Sequence, residues 1–262
     1  MAKKQVPIKT IYYSDEQNDD FAATNGIKQK PIDKNYNYFR RDKFFVRLLS
    51  NFLYYIIAKP IVYLVLKIMF RFKIINRKKM KQRGKKGCFI YSNHTHYLPD
   101  AAFNSLIHRG RNYIIVGSQV VNIKGLNNLV QDLGAIPLGD TIDAQLNFLR
   151  SISNKLKNNA SITIYPEAHI WPYYTKIRNF SNKSFRYPVN SNVPVFATTT
   201  CYSKRKHSIK PRIIFVVDGP FYPDLTISKE EAMTKLRNQV YSSMVSACEK
   251  YSTYEYIRYV KK

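Results

Sequence analysis

The sequence predicts an α/β protein with a mostly parallel central sheet flanked by helices and an N-terminal membrane-docking helical segment. From residue 88 onwards, short apolar runs alternate with segments of helical periodicity. Strands that alternate with helices form largely parallel sheets covered on both faces, and their ligands bind at the carboxyl ends of the strands. The 262 residues are enough for one such domain with an N-terminal extension.

The strands are predicted from apolar runs in which polar and apolar positions hardly alternate. Such runs are typical of strands that are buried on both faces of a sheet. Six runs meet this description, at residues 88–92, 113–117, 135–139, 161–165, 193–200 and 211–219.

Two helices follow from periodicity and capping. The first is predicted from four residues that share one helical face, Leu146, Leu149, Ile152 and Leu156. The second begins at a capping box formed by Ser228 and Glu231. Its predicted buried stripe consists of Met233, Leu236, Val240, Met244 and Ala247.

The chain before residue 87 differs in composition from the rest. We expect a polar N-terminal tail over residues 1–43, loosely ordered to residue 36, and a membrane-associated helical and basic segment over residues 44–86. The catalytic domain is expected to cover residues 87–262. The acidic residues among the first twenty and the lack of a continuous apolar run there argue against a cleavable signal peptide.

Composition restricts the class of partner. The formal net charge is +26, from 43 Lys and Arg against 17 Asp and Glu, which indicates a polyanionic partner: nucleic acid, an anionic membrane surface or a phosphorylated substrate. The three cysteines are far apart in the chain. They argue against a disulfide scaffold or a zinc finger and favour a reducing compartment.

Residues 44–75 are dense in aliphatic and aromatic side chains but contain the pair Lys59–Pro60 in the middle. A proline inside a helix removes a hydrogen bond, so we predict two helices with a bend at Pro60. Helices of this composition lie in the membrane interface or dip into one leaflet. A complete membrane span and a buried helical hairpin are the alternatives.

Residues 71–86 contain nine Lys or Arg and no acidic residue. This favours attraction to anionic lipid headgroups on the cytoplasmic face over a nucleic-acid-binding arm, because the segment adjoins the apolar one.

The stretch YSNHTHYLPD at residues 91–100 places polar side chains directly after the first predicted strand. Pro99 suits the first turn of a following helix, so Asp100 is expected near the helix N-terminus and close to His94. A carboxylate that binds one imidazole nitrogen makes the other a better general base. A metal site built from His94, His96, Glu167 and His169 and a purely structural polar turn are the alternatives.

A second cluster follows the strand at residues 161–165. Glu167 comes directly after it, and a loop with aromatic and basic residues, including Lys176 and Arg178, comes next. Such a loop can bind the hydroxyls and phosphate of a polar headgroup. Alternatively, Glu167 pairs with a local cation and the aromatic side chains belong to the core.

With these blocks in order, the chain resembles the glycerolipid acyltransferase family of lysophospholipid and 1-acylglycerol-3-phosphate acyltransferases. The blocks that carry the resemblance lie at residues 93–100, 134–138, 165–167 and 193–196. The resemblance implies a general base at His94, an orienting carboxylate at Asp100 and substrate contacts from Asn93 and Glu167. Backbone amides of the turn after the strand are expected to hold the oxyanion.

The resemblance also implies the substrates. Acyl-CoA or acyl-carrier protein donates the acyl group to a lysophospholipid acceptor, the enzyme works on anionic membrane lipids, and neither a metal or redox cofactor nor nucleic acid is required. The family's E-G-T-R block is Glu167-Ala168-His169-Ile170 here, so its arginine is absent. Arg178 is our first choice for the phosphate partner because a guanidinium grips phosphate bidentately, and Lys176 is the second.

Overall fold

The computed structural model describes residues 7–21, 30–123 and 125–262. A seven-stranded sheet forms the centre of the molecule, and a two-stranded sheet lies apart from it. The strands are β1 (Lys9–Tyr13), β2 (Lys73–Ile75), β3 (Cys88–Ser92), β4 (Asn112–Val116), β5 (Ala135–Pro137), β6 (Ser161–Ile164), β7 (Val195–Arg205), β8 (Ser208–Phe221) and β9 (Ile257–Lys261).

Eight α-helices accompany these strands in the described part of the chain. They are α1 (Phe44–Phe52), α2 (Lys59–Phe70), α3 (Tyr97–Leu106), α4 (Ser118–Val121), α5 (Asn127–Asp132), α6 (Ile142–Lys157), α7 (Arg186–Ser191) and α8 (Lys229–Tyr251). Short 3₁₀ helices cover Arg40–Asp42, Arg77–Arg83 and Lys183–Phe185.

The central sheet has the strand order β2-β8-β7-β3-β6-β4-β5. Every neighbouring pair is parallel except β7 and β8, which form a long antiparallel hairpin. The predicted fold class is therefore confirmed. All six predicted strands are present, and β2 is an additional edge strand within the segment that we predicted to be only basic and membrane-associated.

Both faces of the sheet are covered, which explains the continuous apolar runs. Alternate side chains of β3 point to opposite sides, so Phe89 and Tyr91 pack into one cluster, whereas Cys88 and Ile90 pack into the other. The first cluster contains the buried faces of α6 and α8. The second contains residues of α2 and α3.

The helix predictions have mixed outcomes. In α8 the Ser228–Glu231 capping box is formed, and the whole predicted stripe is buried. In α6 the predicted face is rotated: Ile152 and Leu156 are buried, but Leu146 and Leu149 are 48% and 44% exposed. Ala144 and Phe148 occupy the buried positions instead.

The N-terminal apolar segment is helical without a break from Phe44 to Phe70, and the two predicted helices are present in it as α1 and α2. A π-helical stretch, Leu53–Ala58, joins α1 to α2. Pro60 lies in the first turn of α2, where its missing N–H is accommodated by the wider hydrogen-bonding pattern before it. By length and composition this helix could cross a membrane, but no other helix in the described residues could.

The expectation of a loosely ordered tail is also wrong for the described part of the N-terminus. Strand β1 pairs in parallel with β9 near the other end of the chain. Ile32 and Tyr38 are buried against the main core. The rest of the predicted tail, residues 1–6 and 22–29, lies outside the described residues.

Candidate active site

His94 lies in the turn between β3 and α3, at the carboxyl end of the central strand of the sheet. Its Nδ1 is 2.8 Å from Oδ2 of Asp100, which lies in the first turn of α3. The Asp100 side chain is 1% exposed, whereas the His94 side chain is 19% exposed. The imidazole is therefore open to a substrate, and the carboxylate that holds it is shielded from water.

The turn is held in place by the same carboxylate. Asp100 Oδ2 also accepts hydrogen bonds from the backbone N–H groups of Thr95 and His96, at 2.8 and 2.9 Å. The backbone N–H of His94 donates to Glu167 Oε2 at 3.0 Å. All three amides are occupied, so our expectation that amides of this turn hold an oxyanion is wrong for residues 94–96.

His96 has a different environment from His94. Its Nε2 lies 3.2 Å from the Tyr173 hydroxyl, and the ring of Phe70 meets its imidazole edge-on. Burial lowers the pKa of His96, so its imidazole is mainly neutral near pH 7. Only its backbone contacts Asp100. Of the two histidines, His94 is the one whose imidazole is paired with the carboxylate.

Tyr165 is a site residue that the sequence analysis did not assign a role. Its ring stacks on the His94 imidazole at a centroid distance of 4.3 Å, and its hydroxyl donates to the main-chain oxygen of Asp100. Burial raises the pKa of Tyr165 well above its ordinary value, so the phenol remains a donor. Its position before Pro166 at a strand end is visible in the sequence, but the imidazole on which it stacks lies 71 positions earlier in the chain.

Glu167 is a structural partner of the turn. It follows the last residue of β6 by three positions in the chain and is 5% exposed. It accepts hydrogen bonds from the backbone N–H groups of His94 and Arg178. Burial raises the pKa of Glu167, against the opposing effect of the Arg178 guanidinium. A direct contact between this carboxylate and an acceptor hydroxyl, as predicted, requires an opening in its present surroundings.

Arg178 occupies the interior, where its side chain is 1% exposed. Its guanidinium pairs with Glu167 at 3.2 Å, donates to the main-chain oxygen of His169 and stacks over the Trp171 ring at 4.9 Å. These contacts correct our first choice for a phosphate partner, because a phosphate has no access to a guanidinium buried in an ion pair. Lys176, the second choice, is exposed.

Asn93 is likewise not placed to meet a substrate. It is fully buried, and its side-chain amide exchanges two hydrogen bonds with the backbone of Thr200 on β7, at 2.8 and 3.1 Å. Asn93 therefore ties the end of β3 to β7. The predicted substrate-binding role does not fit this position.

The residues of the alternative metal site do not converge. His169 pairs with Asp20 at 3.5 Å, and the His96 imidazole contacts aromatic side chains. Among the described residues, no group of three or more His, Cys, Asp or Glu is arranged to hold a metal ion.

The Gly-Ala-Ile-Pro-Leu block at residues 134–138, one of those that carry the resemblance, forms the entry to β5. Gly134 has φ +113°, and a Cβ there would lie 2.6 Å from the main-chain oxygen of Asn112. Glycine is required at this position for both reasons. The block thus shapes the edge of the sheet next to β4.

Comparison with known proteins agrees with this geometry. Residues 71–200, which contain His94, Asp100, Glu167 and Arg178, match the family model described as Acyltransferase. Sequence comparison with curated proteins found no significant match. This match, over about half of the chain, supports the predicted glycerolipid acyltransferase family.

A solved structure shares the fold. The crystal structure of the 1-acyl-sn-glycerophosphate (LPA) acyltransferase PlsC from Thermotoga maritima aligns with a TM-score of 0.51 and 17% sequence identity. The alignment covers 79% of this chain and 88% of that one. At this identity the likeness establishes the common fold.

Proposed function

We propose that this O-acyltransferase transfers a fatty acyl group from acyl-CoA or acyl-carrier protein to the free hydroxyl of a lysophospholipid such as 1-acylglycerol 3-phosphate. The observation that carries the proposal is the partly exposed His94 imidazole, held through Nδ1 by the buried Asp100 carboxylate. The substrate class is supported by the activity of the Thermotoga maritima protein with the same fold, a 1-acyl-sn-glycerophosphate acyltransferase.

The mechanism follows from the two ring nitrogens of His94. With Nδ1 hydrogen-bonded to Asp100, Nε2 takes the proton of the acceptor hydroxyl as its oxygen attacks the thioester carbonyl. Asp100 stabilises the imidazolium that forms. The tetrahedral intermediate then expels the thiolate, which receives the proton from Nε2. The acyl group passes directly to the acceptor, and neither an acyl-enzyme nor a metal or redox cofactor takes part.

The acceptor's phosphate needs a cation, and we assign this role to Lys176. It is exposed and lies in the same loop as Arg178, which is committed to Glu167. An ammonium group binds phosphate as a point charge. In this arrangement the Glu167–Arg178 pair shapes the loop, and Lys176 meets the headgroup.

We also propose that the protein docks on the cytoplasmic face of an anionic membrane through residues 44–86. The helix Phe44–Phe70 has a mean hydropathy of 1.7 in its most apolar window, of which only 11% is buried. That exposure argues against the alternative of a buried helical hairpin. Ser50 near the start of the helix and Phe70 at its end are both buried against the domain. The helix therefore lies along the protein, and this position favours docking at the membrane interface over a complete span.

The direct experiment measures acyl transfer by His94→Ala and His96→Ala variants. Purified protein is incubated with mixed acyl thioesters and lysolipids, and the products are identified by mass spectrometry. We expect His94→Ala to remain folded but inactive, and His96→Ala to retain most of the rate. Both side chains lie in one turn, so the two variants are a matched pair for testing His94 as the general base. An inactive His96→Ala variant together with an active His94→Ala variant refutes that assignment.

A metal-dependent lipid hydrolase using His94, His96 and His169 is the competing enzyme class. It differs from the proposed reaction in its product, a free fatty acid. Free fatty acid release that depends on added metal, together with stoichiometric metal in the purified protein, favours the hydrolase. A transferred acyl group in the presence of a chelator favours the transferase.

A further inference from the structure

A pocket away from His94 is lined by several cationic side chains that the proposed reaction does not use. It has a volume of about 250 Å³ and lies at the amino ends of β4 and β6, between these strands, α6 and α1. His94 follows the carboxyl end of β3, which runs parallel to β6. The length of a five-residue strand, roughly 15 Å, therefore separates the two sites.

We propose that this pocket, which we call the basic pocket, binds a phosphate group carried by a membrane lipid or by a small soluble phosphate ester. The proposal rests on the convergence of Arg41, Arg111 and Lys155 on one side chain, Tyr113, inside the pocket.

The three cations are close together. The guanidinium carbons of Arg41 and Arg111 lie 5.8 and 5.5 Å from the centroid of the Tyr113 ring, and Nζ of Lys155 lies 5.0 Å from it. Asp42 is the acidic residue among those that line the pocket. With Arg47, four cations line the pocket against one carboxylate, and the resulting net positive charge favours an anion.

Among the residues that the structure describes, Arg111 is buried without an acidic partner. It is 7% exposed, and its terminal nitrogens donate to neutral oxygens of Ser50, Asn51 and Asp132, the last through its main chain. Its Nε has no hydrogen-bond partner among the described residues. A buried charge is costly unless it is paired, so this guanidinium is prepared for an anion.

Lys155 shows the same excess of positive charge. Its ammonium group contacts the oxygens of Tyr38 and Ser151, both neutral. Burial, with a further contribution from Arg41, lowers the pKa of Lys155 to about 8. An anion in the basic pocket would compensate both effects by stabilising the charged ammonium.

The chemistry of the lining suits a phosphate group. Guanidinium groups match the oxygens of phosphate in a fork, and the phenol of Tyr55 and the amide of Asn51 add neutral donors. Arg47, Asn51 and Tyr55 are spaced four residues apart and form one face of the N-terminal helix at the pocket. The pocket thus opens beside the helix that we expect at the membrane, within reach of a lipid headgroup.

The experiment uses three probes on the full-length protein: inorganic phosphate, glycerol 3-phosphate, and phosphatidylcholine vesicles with or without phosphatidic acid. Binding is measured by calorimetry and vesicle flotation for the wild type, Lys155→Met and Arg41→Gln. Lys157→Met is the matched control because Lys157 is exposed on the same helix and does not line the pocket. Circular dichroism verifies that each variant is folded.

We expect saturable phosphate binding that Lys155→Met and Arg41→Gln each weaken at least tenfold and that Lys157→Met leaves unchanged. Tighter binding of phosphatidic acid vesicles than of glycerol 3-phosphate, with the same dependence on Lys155, identifies a lipid headgroup; the reverse order identifies a soluble ester. Binding that persists in both pocket variants overturns the proposal. A further variant, Lys176→Gln, is measured in the same way. If it loses phosphate binding and the pocket variants do not, the phosphate binds at the proposed acceptor site. That result overturns the proposal for the basic pocket and leaves the proposed reaction intact.

Discussion

At the scale of single residues, the site depends on two buried carboxylates with different tasks. Asp100 holds the His94 imidazole and two backbone amides with one oxygen, Oδ2. Glu167 holds the backbone of His94 and is itself neutralised by Arg178. The sequence showed that these residue types follow strands, but the choice of partner for each carboxylate depends on side-chain directions that spacing does not contain.

A structural role of Arg178 as the partner of Glu167 can be distinguished experimentally from a role in binding the acceptor's phosphate. Arg178→Met leaves the Glu167 carboxylate buried without its cation, so we expect a loss of about 3–5 kcal/mol in the free energy of unfolding, measured by urea denaturation. Activity should fall equally for 1-acylglycerol 3-phosphate and for an uncharged monoacylglycerol, because the loop that positions His94 is disturbed.

Lys176→Gln is the matched control for Arg178→Met. Lys176 is exposed, so stability should change by less than about 0.5 kcal/mol. Its kcat/KM should fall about tenfold for the phosphorylated acceptor alone, the effect of losing one charged hydrogen bond. If Arg178→Met is as stable as the wild type and weakens only the phosphorylated acceptor, Arg178 reads the phosphate after all.

His108 is a second residue with a measurable consequence. It lies after α3, with Nε2 2.6 Å from the Ser161 hydroxyl. Burial, with repulsion from Arg83, Lys59 and Arg77, lowers its pKa to about 3. Below pH 6.5 the unfolded chain therefore binds a proton at this position that the folded protein does not. The free energy of unfolding decreases as the pH is lowered.

We predict that His108→Gln reduces this acid sensitivity. Between pH 6.5 and 5 the contribution of His108 is about 2 kcal/mol, from 1.36 kcal/mol per pH unit. Urea unfolding at pH 7 and pH 5 should show a smaller decrease for the variant than for the wild type. An equal decrease in both proteins means that His108 is not held neutral in the folded state.

At the scale of elements, the strands were the most predictable part. Apolar runs predicted all six core strands because a strand buried on both faces needs apolar residues at every position. The rotated face of α6 shows the limit. Leu146 and Leu149 satisfy a helical spacing as well as Ala144 and Phe148 do, and only the packing of α6 on β6 decides which face is buried.

The N-terminal helix carries the membrane prediction. Its exposed apolar side chains include Phe45, Leu48, Leu49, Phe52 and Ile56. We expect the protein to float with anionic liposomes, less with neutral ones, and to be released by salt, since exposed cations interact with headgroups over a Debye length of about 10 Å at 0.1 M salt.

The double variant Phe45→Glu/Leu48→Glu should abolish flotation, because it places charges on the exposed apolar face. Lys9→Gln/Lys34→Gln changes the net charge by the same amount at exposed positions outside this helix and should retain most of the binding. Flotation that is equal on neutral and anionic liposomes contradicts the electrostatic part of the proposal.

At the scale of the whole molecule, residues 7–21 and the C-terminal strand β9 meet over the Glu167 loop. Strand β1 pairs with β9. The Trp171 indole N–H donates to the main-chain oxygen of Asp19 at 2.8 Å, and the Arg178 guanidinium donates to the main-chain oxygen of Glu16 at 3.4 Å. Residues 7–21 therefore cover a loop that positions the turn of His94.

Deleting residues 1–21 is predicted to lower acyl transfer without unfolding the central sheet. The Trp171 indole and the Arg178 guanidinium lose backbone acceptors, so the loop becomes more mobile and His94 less well positioned. The rate with any acceptor should fall, while α8 and the central strands retain their hydrogen-exchange protection. An unchanged rate shows that the N-terminal segment is not needed to order the loop.

The sequence by itself determined the fold class, the core strands, the capping box of α8 and the pairing of His94 with Asp100. Each of these follows from local rules: strand burial, side-chain capping, and the short distance between a strand end and the next helix start. Because only five residues lie between His94 and Asp100, one turn brings them together.

Only the tertiary structure decided which cation Glu167 binds, which face of α6 is buried, where the N-terminal segment lies, and that Arg41, Arg111 and Lys155 converge. These contacts join residues that are distant in sequence or compete for the same partner. Lys176 and Arg178 follow Glu167 by nine and eleven positions, yet the Arg178 guanidinium is the group that turns inward and pairs with the buried carboxylate. The free energy of burial, summed over the packed neighbours, makes that choice.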